Sequence, residues 1–263
     1  MFNGLTFTYD SISSTTHGVK ILDFEGIGKF STNILSASVS TTKPAMSPRF
    51  FRVGSTTETP PQFELTIISE TSLDDTKRRA ILSWLYNRGD FKTFQVNQTD
   101  LTNYYYKCIF SSVDAIYING KCYGFSLTGI LDSPYQYGVP TTSSTTVTVG
   151  GQMASISNNS DIPDGFVYPK ITITKPATSE PATVTISRYS TAEYTTFAVN
   201  AAAETLTVDC ELKTIKSNIR TYPMSGFSGS WLRLAKGSNS LQLYAPSGTT
   251  IAIECPNYAL VGF

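Results

Sequence analysis

A hydrolase built on a serine nucleophile needs an imidazole, and this chain offers one, His17 in "STTHGVK". Turn-forming residues flank it rather than carboxylates or cysteines, so it reads as an exposed loop histidine with nothing to make it a base. No GxSxG stretch supplies a nucleophile elbow, and neither a P-loop nor a GxGxxG run occurs; "EGIGKF", Glu25 to Phe30, is a hairpin-like glycine cluster. Glycosidic hydrolysis needs two carboxyl groups facing each other across a cleft. Asp161, Asp164, Asp209 and Glu211 qualify by count alone. Asp209 and Glu211 alternate about Cys210, and on a strand they would share one solvated face. "NNSDIPDG", Asn158 to Gly165, is rich in oxygen ligands but lacks the glycine and terminal glutamate of an EF-hand loop, so a turn is expected.

The four cysteines, Cys108, Cys122, Cys210 and Cys255, are widely spaced, form no CxxC pair and lie in strand-like surroundings. Buried free thiols fit that pattern better than zinc or a disulfide framework, although the even count leaves disulfides open. No catalytic, metal or cofactor-binding set emerges. The expectation is a protein that is not an enzyme and carries no cofactor.

Binding chemistry is better represented. Tyr135, Tyr137, Tyr189, Tyr194, Phe227 and Trp231 could stack on sugar rings, and each equally fits a core position or a subunit contact. "SPRFFRVG" interleaves basic and aromatic residues. The 20 basic and 20 acidic residues nevertheless cancel, so no net field favours nucleic acid or an anionic membrane, and an interface loop is the better reading.

The elements that must position these residues are mostly strands. At 263 residues, with 15 Tyr, 15 Phe and many Thr and Ser, the chain suits half-buried pleated surfaces and is long enough for one large β domain or two ordinary ones. No basic-then-apolar leader opens it and no run of 18 apolar residues occurs, so a soluble protein made in a cytoplasm is expected. Alternation marks "LTFTYDSI", "GVKILDFEG", "ILSASVST" and "QFELTIIS" early on. "KPAMSPRFFRVG" carries Pro44 and Pro48, which exclude a central strand and allow an exposed loop ending in Phe50 and Phe51.

One segment breaks the pattern. In "LDDTKRRAILSWLYNRGDF" apolar residues recur at helical spacing, with a capping-box-like Ser72 and Asp75, and a stop at Arg88-Gly89. The sequence predicts a helix over about 72–88 whose Ala80, Ile81, Trp84 and Leu85 stripe covers an open sheet face. Three strands follow closely, two of them flanking Asn119-Gly120, a strong hairpin signal. The Pro-, Gly-, Ser- and Thr-rich stretch from Asp132 to Gln152 then reads as a boundary, giving a first domain over 1–135, a linker over 136–145 and a second domain over 146–263. Beyond it, short strands at roughly ten-residue spacing predict a β-sandwich or jelly roll.

The order of these motifs resembles the distal tail proteins of long-tailed bacteriophages. The residues that carry the likeness are "FNG" at Phe2 to Gly4, "GVKILDFEG", the strand running into "RRAILSWLYNRGDFKTF", and "YYYKC" downstream. In the second half they are "ISNNSDIPDGFVYPKITI", "FAVNAAAETLTVDCEL" and "SWLRLAKGSNSLQL". Leu206-Thr207-Val208-Asp209 and Leu234 with Gly237 and Asn239 match the family's pattern, whereas Asn158-Asn159-Ser160-Asp161 replaces its Asn-Gly turn.

The resemblance implies a mainly β protein. Its N-terminal β domain, a barrel or sandwich with one amphipathic helix, would build a hexameric ring around the tail channel, and galectin-like C-terminal sandwiches would project outward. Its implied partners are further copies of itself, the tail-tube protein, the tail-associated hub protein and receptor-binding proteins, with no membrane, nucleic acid or cofactor. The implied place is the virion tail tip after synthesis in the bacterial host cytoplasm. Phe50 and Phe51 are the candidate inter-subunit contacts, on an arm reaching the next protomer. The alternative is a carbohydrate-binding adhesin for host-surface glycans.

Overall fold

The computed structural model describes residues 5–22, 38–42, 51–56, 62–86, 88–99, 102–148, 151–162, 165–189, 191 and 193–260, with the backbone alone for 38–42 and 51–56. These residues divide into two compact units, the first running to Gln136 and taking in Leu260, the second covering Tyr137–Ala259.

The first unit contains β1 (Phe7–Tyr9), β2 (Ile12–Ser13), β3 (Lys20–Ile21), β4 (Ser38–Thr42), β5 (Phe51–Thr56), β6 (Gln62–Ile68), the helix α1 (Asp75–Leu85), β7 (Lys92–Val96), β8 (Tyr106–Ile118) and β9 (Lys121–Leu131). Seven of the strands form one antiparallel sheet in the order β2-β1-β7-β8-β9-β6-β3, while β4 and β5 pair with each other. Alternation decides which side is buried: Phe63, Leu65 and Ile67 of β6 point into the core together with Phe125 and Leu127 of β9. The sheet also curls back on itself, because Leu5, just before β1, bridges Ile21 of β3, whose N–H donates to the Leu5 carbonyl at 2.7 Å. That bridge joins the chain entering β1, next to one end of the strand order, to β3 at the other end, in a barrel-like ring around the aromatic core of Phe7, Tyr9, Phe63, Phe94 and Phe110. Close packing of β9 on β6 requires Gly124, where a Cβ would lie 2.1 Å from the Ile67 carbonyl oxygen.

The helix lies where its periodicity places it, but its start and its stripe differ from expectation. Asp74, and not Ser72, is the N-cap: its Oδ1 accepts the Lys77 N–H at 2.8 Å. Ser72 precedes the first turn and is exposed. Ile81, Trp84 and Leu85 are buried, whereas Ala80 is exposed, because the buried arc continues through Leu73 ahead of the helix. Trp84 stacks on His17 with centroids 4.6 Å apart. His17 is therefore half-buried at the end of a short 3-10 turn rather than exposed in a loop, and burial lowers its pKa below the ordinary histidine value.

The second unit holds β10 (Gln136–Thr146), β11 (Gly151–Asn158), β12 (Phe166–Val167), β13 (Lys170–Lys175), β14 (Ala182–Arg188), β15 (Tyr194–Val199), β16 (Glu204–Asp209), β17 (Thr214–Ser217), β18 (Phe227–Gly229), β19 (Leu234–Ala235), β20 (Gly237–Tyr244) and β21 (Thr250–Ala259). Two five-stranded sheets, β10-β21-β13-β16-β17 and β11-β20-β14-β15-β18, enclose a core of alternate Val, Ile, Leu and Phe residues, the sandwich expected. The stretch expected as a linker over 136–145 is strand β10, paired along β21. Its Thr- and Ser-rich composition suits an edge strand, and composition alone cannot separate such a strand from a linker.

Buried charge in the sandwich is fully partnered. The Glu204 carboxylate, with no exposed side-chain surface, accepts from Arg220 Nε at 2.5 Å, Ser217 Oγ at 2.7 Å and the Asn200 N–H at 2.8 Å. Lys175, 1% exposed, donates to the Pro176 and Ala201 carbonyls and to Thr178 Oγ1.

Candidate assembly interface

Strands β8 and β9 are the longest neighbours in the first unit, and their hairpin outruns the sheet that supports it. Asn119 and Gly120 make the tip, both with positive φ, 50° and 74°, as a two-residue hairpin turn requires. On its other side β8 meets β7 only from Tyr106 to Cys108, then Tyr86 through a single bridge at Phe110. From Ser111 to Ile118 the strand pairs, among the described residues, with β9 alone. Irregularities in the register between Phe110 and Ser112 and between Ile116 and Tyr117 bend this free half.

The free edge is apolar in character. "SSVDAIYI" carries one charge, Asp114, whose Oδ2 accepts from Ser112 Oγ at 3.0 Å. Tyr117 and Ile118 are 56% and 55% exposed. Arg78 of α1 donates to the Tyr117 hydroxyl at 3.2 Å, and α1 leaves Leu82 and Tyr86 exposed in turn. Natural edge strands are ordinarily blunted by lysine, proline or brevity. From Ser111 to Ile118 this one has neither lysine nor proline and is not short, and its protection is limited to the two irregularities and Asp114.

The residues singled out from sequence scatter. Phe50 lies outside the described residues. Phe51 opens β5 opposite Thr42, in a strand and not in the loop before it, and its side chain is likewise outside the description. Of the acids, Asp164 is outside the described residues, and Asp161 is exposed, its N–H bonded to the Tyr258 carbonyl. Asp209 ends β16 and accepts the N–H groups of Glu211 and Leu212, while Glu211 sits in the turn and accepts from the Tyr258 hydroxyl at 3.3 Å. The two do not share a strand face, because the strand stops at Asp209. Asn158 makes the expected turn, its Oδ1 taking the Ser160 N–H. All four cysteines are buried free thiols.

The aromatics divide in two. Phe227 and Trp231 stack on each other at 4.4 Å, Tyr137 packs on Tyr258 at 5.4 Å, and Tyr135 is half-buried. Tyr189 and Tyr194 are exposed. Sequence reading passed over Tyr117 and Ile118, although the long alternating run into "IYING" was the signal that could have marked them.

Residues 2–133 match the family model described as a phage tail protein N-terminal domain, and residues 135–255 match the phage tail C-terminal domain. The chain belongs to this family of phage tail proteins. No curated protein matches the tail protein in sequence. Among solved structures it is similar over 96% of its length to the Dit protein of phage SPP1, described as a paradigm of the hub adsorption apparatus in phages infecting Gram-positive bacteria. There the TM-score is 0.65 at 15% identity, with 98% of that chain covered. It is also similar to a chain of the phage p2 baseplate in its activated conformation with Sr, at TM-score 0.55 and 12% identity, covering 95% of this chain and 97% of that one. At such identities the likeness is one of fold, and the fold is that of the distal tail proteins the motif order suggested.

Proposed function

We propose that this tail protein is a non-enzymatic ring subunit, six copies of which surround the tail channel at the tail tip and join the tail-tube protein to the hub protein and receptor-binding proteins. The observation that carries the reading is the free, apolar half of β8. Eight residues of strand edge ending in Tyr117 and Ile118 would be an aggregation hazard on a solitary protein and become an asset once a neighbouring copy covers them. A contact of one copy's β8 edge with a different surface of the next is heterologous, and such contacts close into a ring when the rotation allows.

The β4–β5 hairpin supports the same reading. A two-stranded sheet is marginal by itself in water. As an arm carrying Phe50 and Phe51 onto the next protomer it would be held by that contact. Native mass spectrometry of the purified protein, alone and with its tail-tube neighbour, is the test. Hexamers lost on Tyr117→Asp/Ile118→Asp, with the melting temperature retained, support the ring; hexamers that survive both this change and Phe50→Asp/Phe51→Asp remove both surfaces from it. A monomer under all conditions rejects the ring itself.

A further inference from the structure

Among the described residues, the outward strand positions of the sheet β11-β20-β14-β15-β18 carry no Asp, Glu, Lys, Arg or His. Its outward positions are the alternate residues from Gly151 to Ser157, Thr183 to Ser187, Tyr194 to Ala198 and Ser238 to Tyr244, with Ser228 of β18, as the pairing register shows. They are serine, threonine, glutamine, glycine, alanine, methionine and tyrosine. The opposite sheet of the same sandwich behaves ordinarily: outward Lys170 stands between Asp209 and Glu254, and Lys216 lies one strand further on. A solvated sheet face is normally studded with charges of both signs, so an uncharged one set against a charged one is a specific feature of this face.

Its hydroxyls form an array. Thr185 and Thr196 bond to each other at 3.0 Å across β14 and β15, and Ser155 and Ser238 at 3.3 Å across β11 and β20. Tyr194 and Tyr244 rise from the same face and Tyr189 directly follows β14; all three are exposed. Two of them lie over glycines. A Cβ on Gly151 would sit 2.5 Å from the Tyr244 ring, and one on Gly229 would sit 3.1 Å from the Tyr194 ring. Gly151 thus leaves room for the Tyr244 ring, whereas Gly229 chiefly clears the Tyr194 carbonyl oxygen, 2.3 Å from where its Cβ would be. From a strand spacing of ~4.8 Å and a rise of ~3.4 Å per residue, Tyr194 and Tyr244 stand about 12 Å apart.

We infer that this face is a binding site for a neutral polysaccharide. A pyranose ring has an apolar face of C–H groups that stacks on an aromatic face, and a rim of hydroxyls that both donate and accept. The tyrosines supply the first contact and the Ser, Thr and Gln side chains the second. Two platforms set about 12 Å apart engage separate units of a chain rather than one sugar. An anionic polymer is disfavoured because no Lys or Arg occupies an outward position of these strands. A protein partner would use charged residues within the contact to set its register, and the outward strand positions have none. The inference is independent of the ring.

Affinity electrophoresis of the full-length protein tests it, in native gels cast with dextran, galactomannan, β-1,3-glucan, or the anionic polymer alginate. The expected result is retardation by at least one neutral polymer, a loss of about tenfold in affinity for each of Tyr194→Ala and Tyr244→Ala, and retention by the Tyr→Phe pair, which keeps the ring. Both rings are surface-exposed, so unchanged melting curves of the Ala variants separate lost binding from lost folding. Four outcomes overturn the proposal: no retardation by any neutral polymer, retardation by alginate alone, binding indifferent to both Ala changes, and loss of co-assembly with another tail protein in their place.

Discussion

Trp84 of the helix stacks on Phe7 of β1 with ring centroids 5.5 Å apart and planes 12° from parallel, while its indole N–H donates to the Tyr9 carbonyl at 2.9 Å. One side chain thereby fastens helix to barrel through both an apolar and a polar contact. Trp84→Ala should cost about 3–5 kcal/mol, since it opens a cavity and strips the Tyr9 carbonyl of a donor. Trp84→Phe keeps the stack and should cost distinctly less. Urea unfolding followed by circular dichroism measures both, and an Ala variant as stable as the parent would place the stripe away from the core.

The identity of the helix cap is open to a paired substitution. Asp74→Ala removes the acceptor of the Lys77 N–H and should cost about 1 kcal/mol, whereas Ser72→Ala should leave the melting temperature unchanged. The reverse ranking would restore the cap expected from sequence.

Glu204 makes the sandwich acid-sensitive. Burial pushes its carboxyl upward, but the Asn200 N–H, Ser217 and Arg220 outweigh burial and hold the pKa below its ordinary 4.5. A lowered carboxyl pKa stabilises the fold fully above the unfolded value and loses that contribution as pH falls from about 4.5 through the folded value. Denaturation midpoints of the wild type should therefore decline over that window, and Glu204→Gln should flatten this part of the decline. Glu204→Ala at neutral pH should cost about 3–5 kcal/mol by leaving Arg220 without its partner. A Glu204→Gln variant with the same acid slope as the wild type would assign the slope to other carboxyls.

The thiols should be silent in the native state. All four are buried, and burial raises the pKa of Cys108, Cys210 to about 12 and Cys255 to about 11. A disulfide-exchange reagent should label none of them within minutes in buffer and all four in guanidinium, with no change in melting temperature on adding reductant. Rapid labelling of one in buffer would show a strand opening locally.

What could be read from sequence is what periodicity and turn chemistry encode locally. Period-2 alternation marked Phe63 to Ile67 and the short strands of the sandwich, helical spacing marked Ile81, Trp84 and Leu85, and Asn119-Gly120 marked its hairpin, because each is a property of neighbours in the chain. The order of those elements was also enough to suggest the family. Tertiary structure decided what depends on partners distant in sequence. Leu5 closes the barrel on Ile21, Trp84 half-buries His17, and β21 turns an apparent linker into strand β10.

The candidate surfaces belong to this second kind. Tyr117 and Ile118 are exposed where β8 runs on past its pairing with β7, and Tyr194 and Tyr244 share a face because the registers of β14, β15 and β20 align them. A side chain's own type and spacing say which face of its strand it occupies. Whether a neighbour covers that face is settled by strand pairing across tens of residues, and no local pattern records it.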